Sequence, residues 1–255
     1  TSYTFDIYGN WNNEGIFNAG ISTVKFSGST DQSITTVAAG GESFYNLNIN
    51  KTAGKKLISN KNITVSNELT LNSGIIDLGA NTLFLTNSSS SSLVGGSTSG
   101  TDKYILGKLQ RTTTGTGTYT FPIGYTGHGA QGLSVKLNSS SGTPNLLAFL
   151  EPNATPPIYS IAYCDVEAHP GGGTHIIGTG TTGYDGILDK IEFNLASALQ
   201  WDVTNPGGGI SSYNITVYGN GTNNFTPITT VNSIELRYLM KNGQPGNAGV
   251  STGTT

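Results

Sequence analysis

The chain has 255 residues, a formal net charge of −3 and a pI near 5.5. Gly (36), Thr (35), Ser (26) and Asn (25) make up 122 residues, whereas only 11% are charged. This composition excludes a helical bundle, which needs Ala, Leu, Glu and Lys. With 12 Lys and Arg, 15 Asp and Glu and no basic run, it also excludes a nucleic-acid partner. The longest apolar run, residues 146–150, is too short to span a bilayer, so we expect an all-β protein with no membrane span.

Three short segments near the N-terminus alternate apolar and polar residues in the same way: Ser22–Gly28, Tyr45–Lys51 and Asn67–Ser73. Their first inward residues, Val24, Leu47 and Leu69, are separated by 23 and 22 positions. Strands this short, each followed by a Gly, Asn or Ser turn, suit a coil that turns a corner after every strand. We therefore predict a short right-handed parallel β-helix over residues 1–105, with about 22 residues and three strands per turn. An ordinary antiparallel sheet with Gly and Asn turns is the alternative.

A coil of this kind stacks equivalent residues of successive turns into ladders. We predict an aliphatic ladder of Val24, Leu47 and Leu69, extended by Leu83. Asparagine side chains at the corners are expected to hydrogen-bond along the axis; the candidates are Asn46, Asn48, Asn50, Asn67, Asn72 and Asn81. Tight corners with positive φ are expected at glycines; the candidates are Gly28, Gly54, Gly74 and Gly79.

From about residue 103 the strands become longer and Pro and Gly clusters separate them. About eight alternating strands predict an antiparallel Ig-like β-sandwich over residues 106–255, with a C-terminal linker. The window 186–199 has apolar residues at helical spacing and is left open between helix and strand. Because the chain begins at Thr1 and ends in a stretch rich in Ser, Thr and Gly, we expect a piece of a longer protein.

Several stretches resemble a recurrent module of large, repetitive surface proteins of Bacteroidota. They are GNWNNEGIFNAG (9–20), STVKFSG (22–28), FYNLNINKT (44–52), LTLNSGIIDLG (69–79), GKLQR (107–111), YTFPIG (119–124) and WDV (201–203). The likeness covers about residues 5 to 240. Proteins of this group are exported by the type IX secretion system and include SprB-like adhesins of gliding cells.

The resemblance implies an extracellular, cell-surface location outside the outer membrane. It implies as partners the neighbouring modules of the same long chain, surface glycans and a type IX secretion or anchoring complex. It carries no catalytic, cofactor or metal residue across, because its motif consists of structural Gly, Asn and aliphatic positions. We therefore expect a non-catalytic structural and adhesive module that has no cofactor and takes part in adhesion or gliding motility.

The densest group of reactive side chains lies in a single stretch. Asp165, Glu167 and His169 alternate, so on a strand they share a face, and His175 follows a Gly-rich turn. Two imidazoles and a carboxylate suit a divalent metal, but the spacing matches no zinc signature, and a solvated strand edge is the favoured interpretation. Cys164 is five residues from His169, yet no oxyanion-hole signature accompanies it, so a half-buried thiol is expected rather than a nucleophile.

Polysaccharide-cleaving β-helices require clustered carboxylates or a Lys or Arg base on one strand face. In residues 1–108 no two acidic residues occupy aligned positions one turn apart, and there is no Arg or His, so we expect no enzyme. A carbohydrate-binding module of a secreted polysaccharide-active enzyme is the alternative function. Aromatic side chains near the N-terminus would stack on sugar rings, or half of them would plug the open end of the coil; they are Tyr3, Tyr8, Trp11, Phe17, Phe44 and Tyr45.

Overall fold

The structure, a computed structural model, describes residues 2–152, 161–165, 176–177, 188–191, 199–204 and 210–217. Its strands are β1 (Thr4–Ile7), β2 (Trp11–Asn13), β3 (Thr23–Gly28), β4 (Gln32–Thr36), β5 (Glu42–Lys51), β6 (Lys56–Ser59), β7 (Ile63–Ser73), β8 (Ile75–Leu85), β9 (Leu93–Gly95), β10 (Ser99–Gly100), β11 (Ile105–Thr112), β12 (Gly117–Phe121), β13 (Ile123–Tyr125), β14 (Gly129–Gln131), β15 (Leu133–Ser140), β16 (Asn145–Pro152), β17 (Ile161–Asp165), β18 (Ile176–Ile177), β19 (Leu188–Ile191), β20 (Leu199–Thr204) and β21 (Ile210–Val217). A short 3₁₀ helix spans Ser90–Ser92. The chain divides into two compact units, residues 1–151 with 201–255, and residues 152–200.

The first unit contains a parallel β-solenoid of about five turns, which confirms the predicted parallel coil. Parallel strand pairs form three faces. The first face is β1, β3, β5, β7 and β9; the second is β2, β4, β6, β8, β11 and β13; the third is β5, β7, β8 and β11. The long strands serve two faces because they bend between them, and a register shift marks the bend in the pairing of β5 with β7 and of β8 with β11.

The predicted aliphatic ladder is present on the first face. Val24 pairs with Leu47, and Leu47 with Leu69. All three side chains are at most 1% exposed. The extension to Leu83 was wrong, because Leu83 stacks on Ile63 on the third face. The short apolar units between Leu57 and Leu85 follow each other every six or seven residues because they belong to successive faces of a turn, so they lie side by side around the coil.

An asparagine ladder runs beside the first face, but it holds only part of the predicted set. Asn46 Nδ2 donates to Thr23 Oγ1 (3.1 Å), Asn67 Nδ2 donates to Asn46 Oδ1 (2.7 Å), and Asn87 Nδ2 donates to the Asn67 carbonyl (3.1 Å). Asn50 and Asn72 are instead exposed, Asn81 Nδ2 donates to the Leu78 carbonyl (3.0 Å), and the buried Asn48 Oδ1 has no partner among the described residues.

The four predicted corner glycines all have positive φ, between 56° and 119°. Gly74 also lies close to the neighbouring turn, since a Cβ there would come within 3.0 Å of the Lys51 Cβ and the Lys55 carbonyl. Asp102 reinforces these corners by accepting hydrogen bonds from the backbone amides of Gly54 and Gly74, both at 2.9 Å. A carboxylate thus joins the corners of two adjacent turns.

Antiparallel pairing begins where the parallel coil ends. β16 pairs antiparallel with β11, β14 with β13, and β10 with β14. A separate antiparallel sheet has the order β12–β15–β21, and the second unit contains the antiparallel sheet β18–β17–β19. The sandwich and the division at residue 105 stay predictions, and parallel pairing continues past that residue through β11 and β13. In the window 186–199, residues 188–191 form strand β19. One of the about eight strands predicted from alternation, at residues 233–239, lies outside the described residues.

Candidate functional site at the N-terminal end of the coil

An aromatic cluster covers the N-terminal end of the solenoid. We call it the aromatic cap, and its members are Phe5, Trp11, Phe17, Phe26 and Phe44. Trp11 meets Phe17 edge to face at a centroid distance of 4.8 Å and Phe44 at 5.7 Å. Phe17 belongs to the loop between β2 and β3, and it contacts Phe5 and Phe44 as well. The loop therefore shields the apolar interior at an end where no further turn of the described chain continues the stack.

Around the aromatic cap, large apolar side chains reach solvent. This set, which we call the N-terminal rim, is Tyr3 (59% exposed), Phe5 (43%), Tyr8 (69%), Ile16 (98%) and Ile21 (51%). Phe5 belongs to both the cap and the rim, because its ring contacts Phe17 and is also partly exposed. Within the described chain, β1 pairs only with β3 and β2 only with β4. Among the strands that the structure describes, none covers the other edge of β1 or β2, and such an edge offers backbone groups to another strand.

The predicted sugar-stacking residues divide between these two sets. Trp11, Phe17 and Phe44 belong to the aromatic cap, where their rings contact one another. Tyr3 and Tyr8 are exposed on the N-terminal rim, and Tyr45 is half-buried on β5. Three of the six aromatic residues therefore help to cover the end of the coil, and two tyrosines, Tyr3 and Tyr8, remain accessible to a ligand.

A buried carboxylate lies directly behind the aromatic cap. Glu42 pairs with Ile63 of the next turn and so occupies a position in the interior ladder of the third face. Although it is a charged residue type, it is only 3% exposed. Its Oε2 accepts hydrogen bonds from Trp11 Nε1 (3.0 Å) and Asn13 Nδ2 (2.9 Å), and its Oε1 accepts one from the Ser43 amide (3.3 Å). Charge-assisted hydrogen bonds of this kind are stronger than neutral ones, so Glu42 fastens β2 to the turn that follows it.

Replacing Glu42 by glutamine should lower the free energy of unfolding by about 1–2 kcal/mol, because one carboxylate oxygen becomes an NH₂ group that faces donors. Urea unfolding followed by circular dichroism measures the loss. Glu68→Gln is the matched control, since Glu68 is half-buried and its Oε1 accepts only from Thr70 Oγ1 (2.8 Å) among the described residues. Equal losses in the two variants would show that the Glu42 contacts add nothing.

A second buried polar group joins the first turns from inside. Gln32 begins β4 and is 2% exposed, and Lys51 ends β5 and is 3% exposed. Lys51 Nζ donates a hydrogen bond to Gln32 Oε1. Gln32 Nε2 donates to the carbonyls of Ile7 (3.0 Å) and Gly9. Burial lowers the pKa of Lys51, and the negative charge of Asp31 partly opposes this shift.

A buried arginine marks the opposite end of the parallel coil. Arg111 stacks on Leu85 and is 1% exposed. Its Nη1 donates to the Thr120 carbonyl (2.9 Å), and its Nη2 donates to the Ser90 carbonyl (2.9 Å) and to Ser92 Oγ (3.2 Å). Burial lowers the pKa of Arg111 to about 10, so the guanidinium is charged at neutral pH. This charge holds the 3₁₀ helix and β12 against the end of the coil.

The predicted metal-binding stretch falls mostly outside the described residues. Asp165 ends β17, whereas Glu167, His169 and His175 are not among the described residues. Cys164 lies in β17, where its backbone pairs with Ile177 and Asp189. Within the described ranges, no group of three or more His, Cys, Asp or Glu residues is placed to hold a metal ion. The same ranges contain no helix with the length and apolar character needed to cross a membrane.

Sequence reasoning missed Gln32, Glu42, Lys51 and Arg111 as buried groups. The signal that would have found them is a polar residue at a ladder position, such as Glu42 at the level of Ile63 or Arg111 at the level of Leu85. Comparisons of the chain with family models, with curated proteins and with solved structures found no match. The functional interpretation therefore depends on the geometry of this chain and on the resemblance of its motifs.

Proposed function

We propose that this chain is a non-catalytic structural and adhesive module of a large bacterial cell-surface protein, exposed outside the outer membrane. In this proposal a short right-handed β-helix leads into a β-sandwich, and neighbouring modules of the same long chain are its partners. The observation that carries the proposal is the stacking of Val24, Leu47 and Leu69 in successive turns of a coil whose interior is filled.

The solenoid supports a scaffold role because its contacts repeat along one direction. Backbone hydrogen bonds between parallel strands run along the coil axis, and each turn contacts only its neighbours. Ion pairs on the outside connect adjacent turns: Lys25 with Asp6 at 3.3 Å and Lys56 with Asp77 at 2.8 Å. Such exposed pairs add little stability individually, so the buried ladders provide the stiffness of the rod.

The N-terminal rim supports the adhesive part of the proposal. Phe5 continues the ladder of Val24 and is nevertheless 43% exposed. Exposed apolar groups beside free strand edges favour association with another strand or module. A neighbouring module that placed an apolar side chain on Phe5 would continue the ladder and cover both free edges.

Surface labelling tests the location in the proposal. Antibodies raised against the chain should label intact, unpermeabilised cells of the source organism, and external protease should remove the label. Disruption of the type IX secretion system should abolish surface labelling and leave the antigen inside. Labelling that requires permeabilisation of wild-type cells would contradict the proposal.

A carbohydrate-binding module is the second candidate, and the exposure of Tyr3 and Tyr8 favours it. Aromatic faces that reach solvent stack on sugar rings. On a glycan array we expect the wild-type chain to bind no single sugar class. Sharp binding to one class that is lost in the Tyr3→Ala/Tyr8→Ala double variant would establish the second candidate instead. Tyr125→Ala is the control, because Tyr125 is half-buried on β13, distant in sequence from the rim.

A further inference from the structure

The contact between Lys51 and Gln32 is not explained by a scaffold role. An aliphatic pair would fill the same interior without the cost of burying an amine. The ion pairs among the described residues join Lys25 to Asp6 and Lys56 to Asp77, so no carboxylate within 4.0 Å neutralises Lys51. The only hydrogen-bond acceptor that its amino group has in the described part of the chain is Gln32 Oε1.

We propose that Lys51 and Gln32 become joined by an intramolecular isopeptide bond after the chain folds. The Lys51 Nζ lone pair attacks Gln32 Cδ, a new Nζ–Cδ bond forms, and the Cδ–Nε2 bond breaks. One proton moves from Nζ to Nε2, which leaves as ammonia. The step consumes one amine and one carboxamide, yields one secondary amide and one ammonia, and needs no oxidant, reductant or further reactant.

The geometry brings the two reacting groups together in a water-poor interior. Nζ is in hydrogen-bond contact with Oε1, the oxygen that is bonded to the carbon under attack. The carbonyls of Ile7 and Gly9 both accept from Nε2, which fixes the orientation of the carboxamide. Holding two reactants next to each other in this way raises their effective concentration, because the entropy of bringing them together is already lost on folding.

The interior also favours the reactive form of the amine and the forward direction. An amine must be neutral to act as a nucleophile, and burial lowers the pKa of Lys51 despite the opposing charge of Asp31. Ammonia escapes into dilute solution, which opposes the reverse reaction. The product removes a cation from the interior and retains one N–H on Nζ, which remains a hydrogen-bond donor.

The bond would connect the start of β4 to the end of β5, 19 residues apart in sequence. A covalent closure at this place prevents the second turn from unwinding even when its hydrogen bonds open. The inference depends only on the buried pair, and it holds whether the chain is an adhesive scaffold or a carbohydrate-binding module.

Intact-mass measurement of the purified 255-residue chain tests the inference. We expect a mass that is lower than the sequence mass by one ammonia molecule. After denaturation, trypsin should fail to cleave at Lys51, and the ammonia loss should map to one peptide that runs from Phe26 to Lys55. This peptide contains no Asn-Gly pair, the sequence most prone to lose ammonia through a succinimide.

Two single substitutions and one control complete the experiment. Lys51→Met and Gln32→Met should each show the full mass of their sequence, and Lys56→Met should still show the loss, because Lys56 pairs with Asp77 on the outside. The wild-type test itself requires no variant to fold. A wild-type chain of full mass that is cleaved at Lys51 would overturn the inference, and so would an ammonia loss that maps outside residues 26–55 or persists in Gln32→Met.

Discussion

Leu47→Ala is expected to lower the free energy of unfolding by about 2–5 kcal/mol, the range for deleting a buried leucine side chain. Leu47 is 0% exposed and lies between Val24 and Leu69 in the ladder of the first face. Because a turn of the coil packs on each side, the surrounding backbone cannot collapse into the cavity, which places the loss in the upper part of the range. Urea unfolding followed by circular dichroism gives the difference directly.

Ile58→Ala is the matched control for this prediction. Ile58 is also a branched aliphatic residue in a strand of the coil, β6, but its side chain is 40% exposed. We expect its replacement to cost less than about 1 kcal/mol, since only part of its apolar surface is removed from water. Losses of similar size in the two variants would contradict the stacked core on which the scaffold proposal depends.

The ladder of Val24, Leu47 and Leu69 could be predicted because each residue occupies the same position in a strand of similar length. Leu83 was misplaced for a physical reason. Ile63 and Leu83 are 20 residues apart and stack, whereas Leu69 lies between them on a different face. Alternation reveals which side chains point inward, but the face to which each belongs depends on the length of every corner in between.

Sequence reasoning missed the buried polar groups for a related cause. Glu42 and Lys51 are ordinary surface residues by type, and they are recognised as interior positions only once the register of the turns is known. The aromatic cap illustrates the same limit. Trp11 and Phe17 belong to a segment that sequence alone leaves open between a sugar-binding platform and a cover for the end of the coil, and the edge-to-face contact of the two rings becomes visible only in the folded chain.

The onset of antiparallel pairing could be predicted only approximately. Longer strands and Pro-Gly turns predicted a change from parallel to antiparallel pairing near residue 103, and β12 and β15 do form an antiparallel pair. The strands β11 and β13 nevertheless continue the parallel stack, because the inward residue Ile105 aligns with Ile76 of the preceding turn and Ile123 aligns with Ile105. Strand length therefore did not distinguish a coil strand from a sheet strand.

Arg111→Met is expected to lower the free energy of unfolding by about 3 kcal/mol. Methionine fills much of the volume but donates nothing, so the carbonyls of Ser90 and Thr120 and the Ser92 hydroxyl lose their charged partner. Each buried acceptor left without a donor costs about 1–3 kcal/mol. Removal of a buried cation offsets part of this sum, because the desolvation of the guanidinium is relieved.

The acceptors decide the sign of this balance, because four of them, the three above and the Ser89 carbonyl (3.4 Å), accept from one side chain. That side chain is 1% exposed, and its guanidinium carbon lies 5.1 Å from the centroid of the Tyr119 ring. Arg111→Lys should lose less than Arg111→Met, since an ammonium still donates to some of these acceptors. Lys136→Met on the exposed side of β15 is the control for loss of a positive charge and should change stability by less than about 0.5 kcal/mol. An Arg111→Met variant that unfolded at the wild-type urea midpoint would contradict this prediction. The desolvation cost of the guanidinium would then equal the stabilisation from its hydrogen bonds, and Arg111 would not hold β12 and the 3₁₀ helix to the coil.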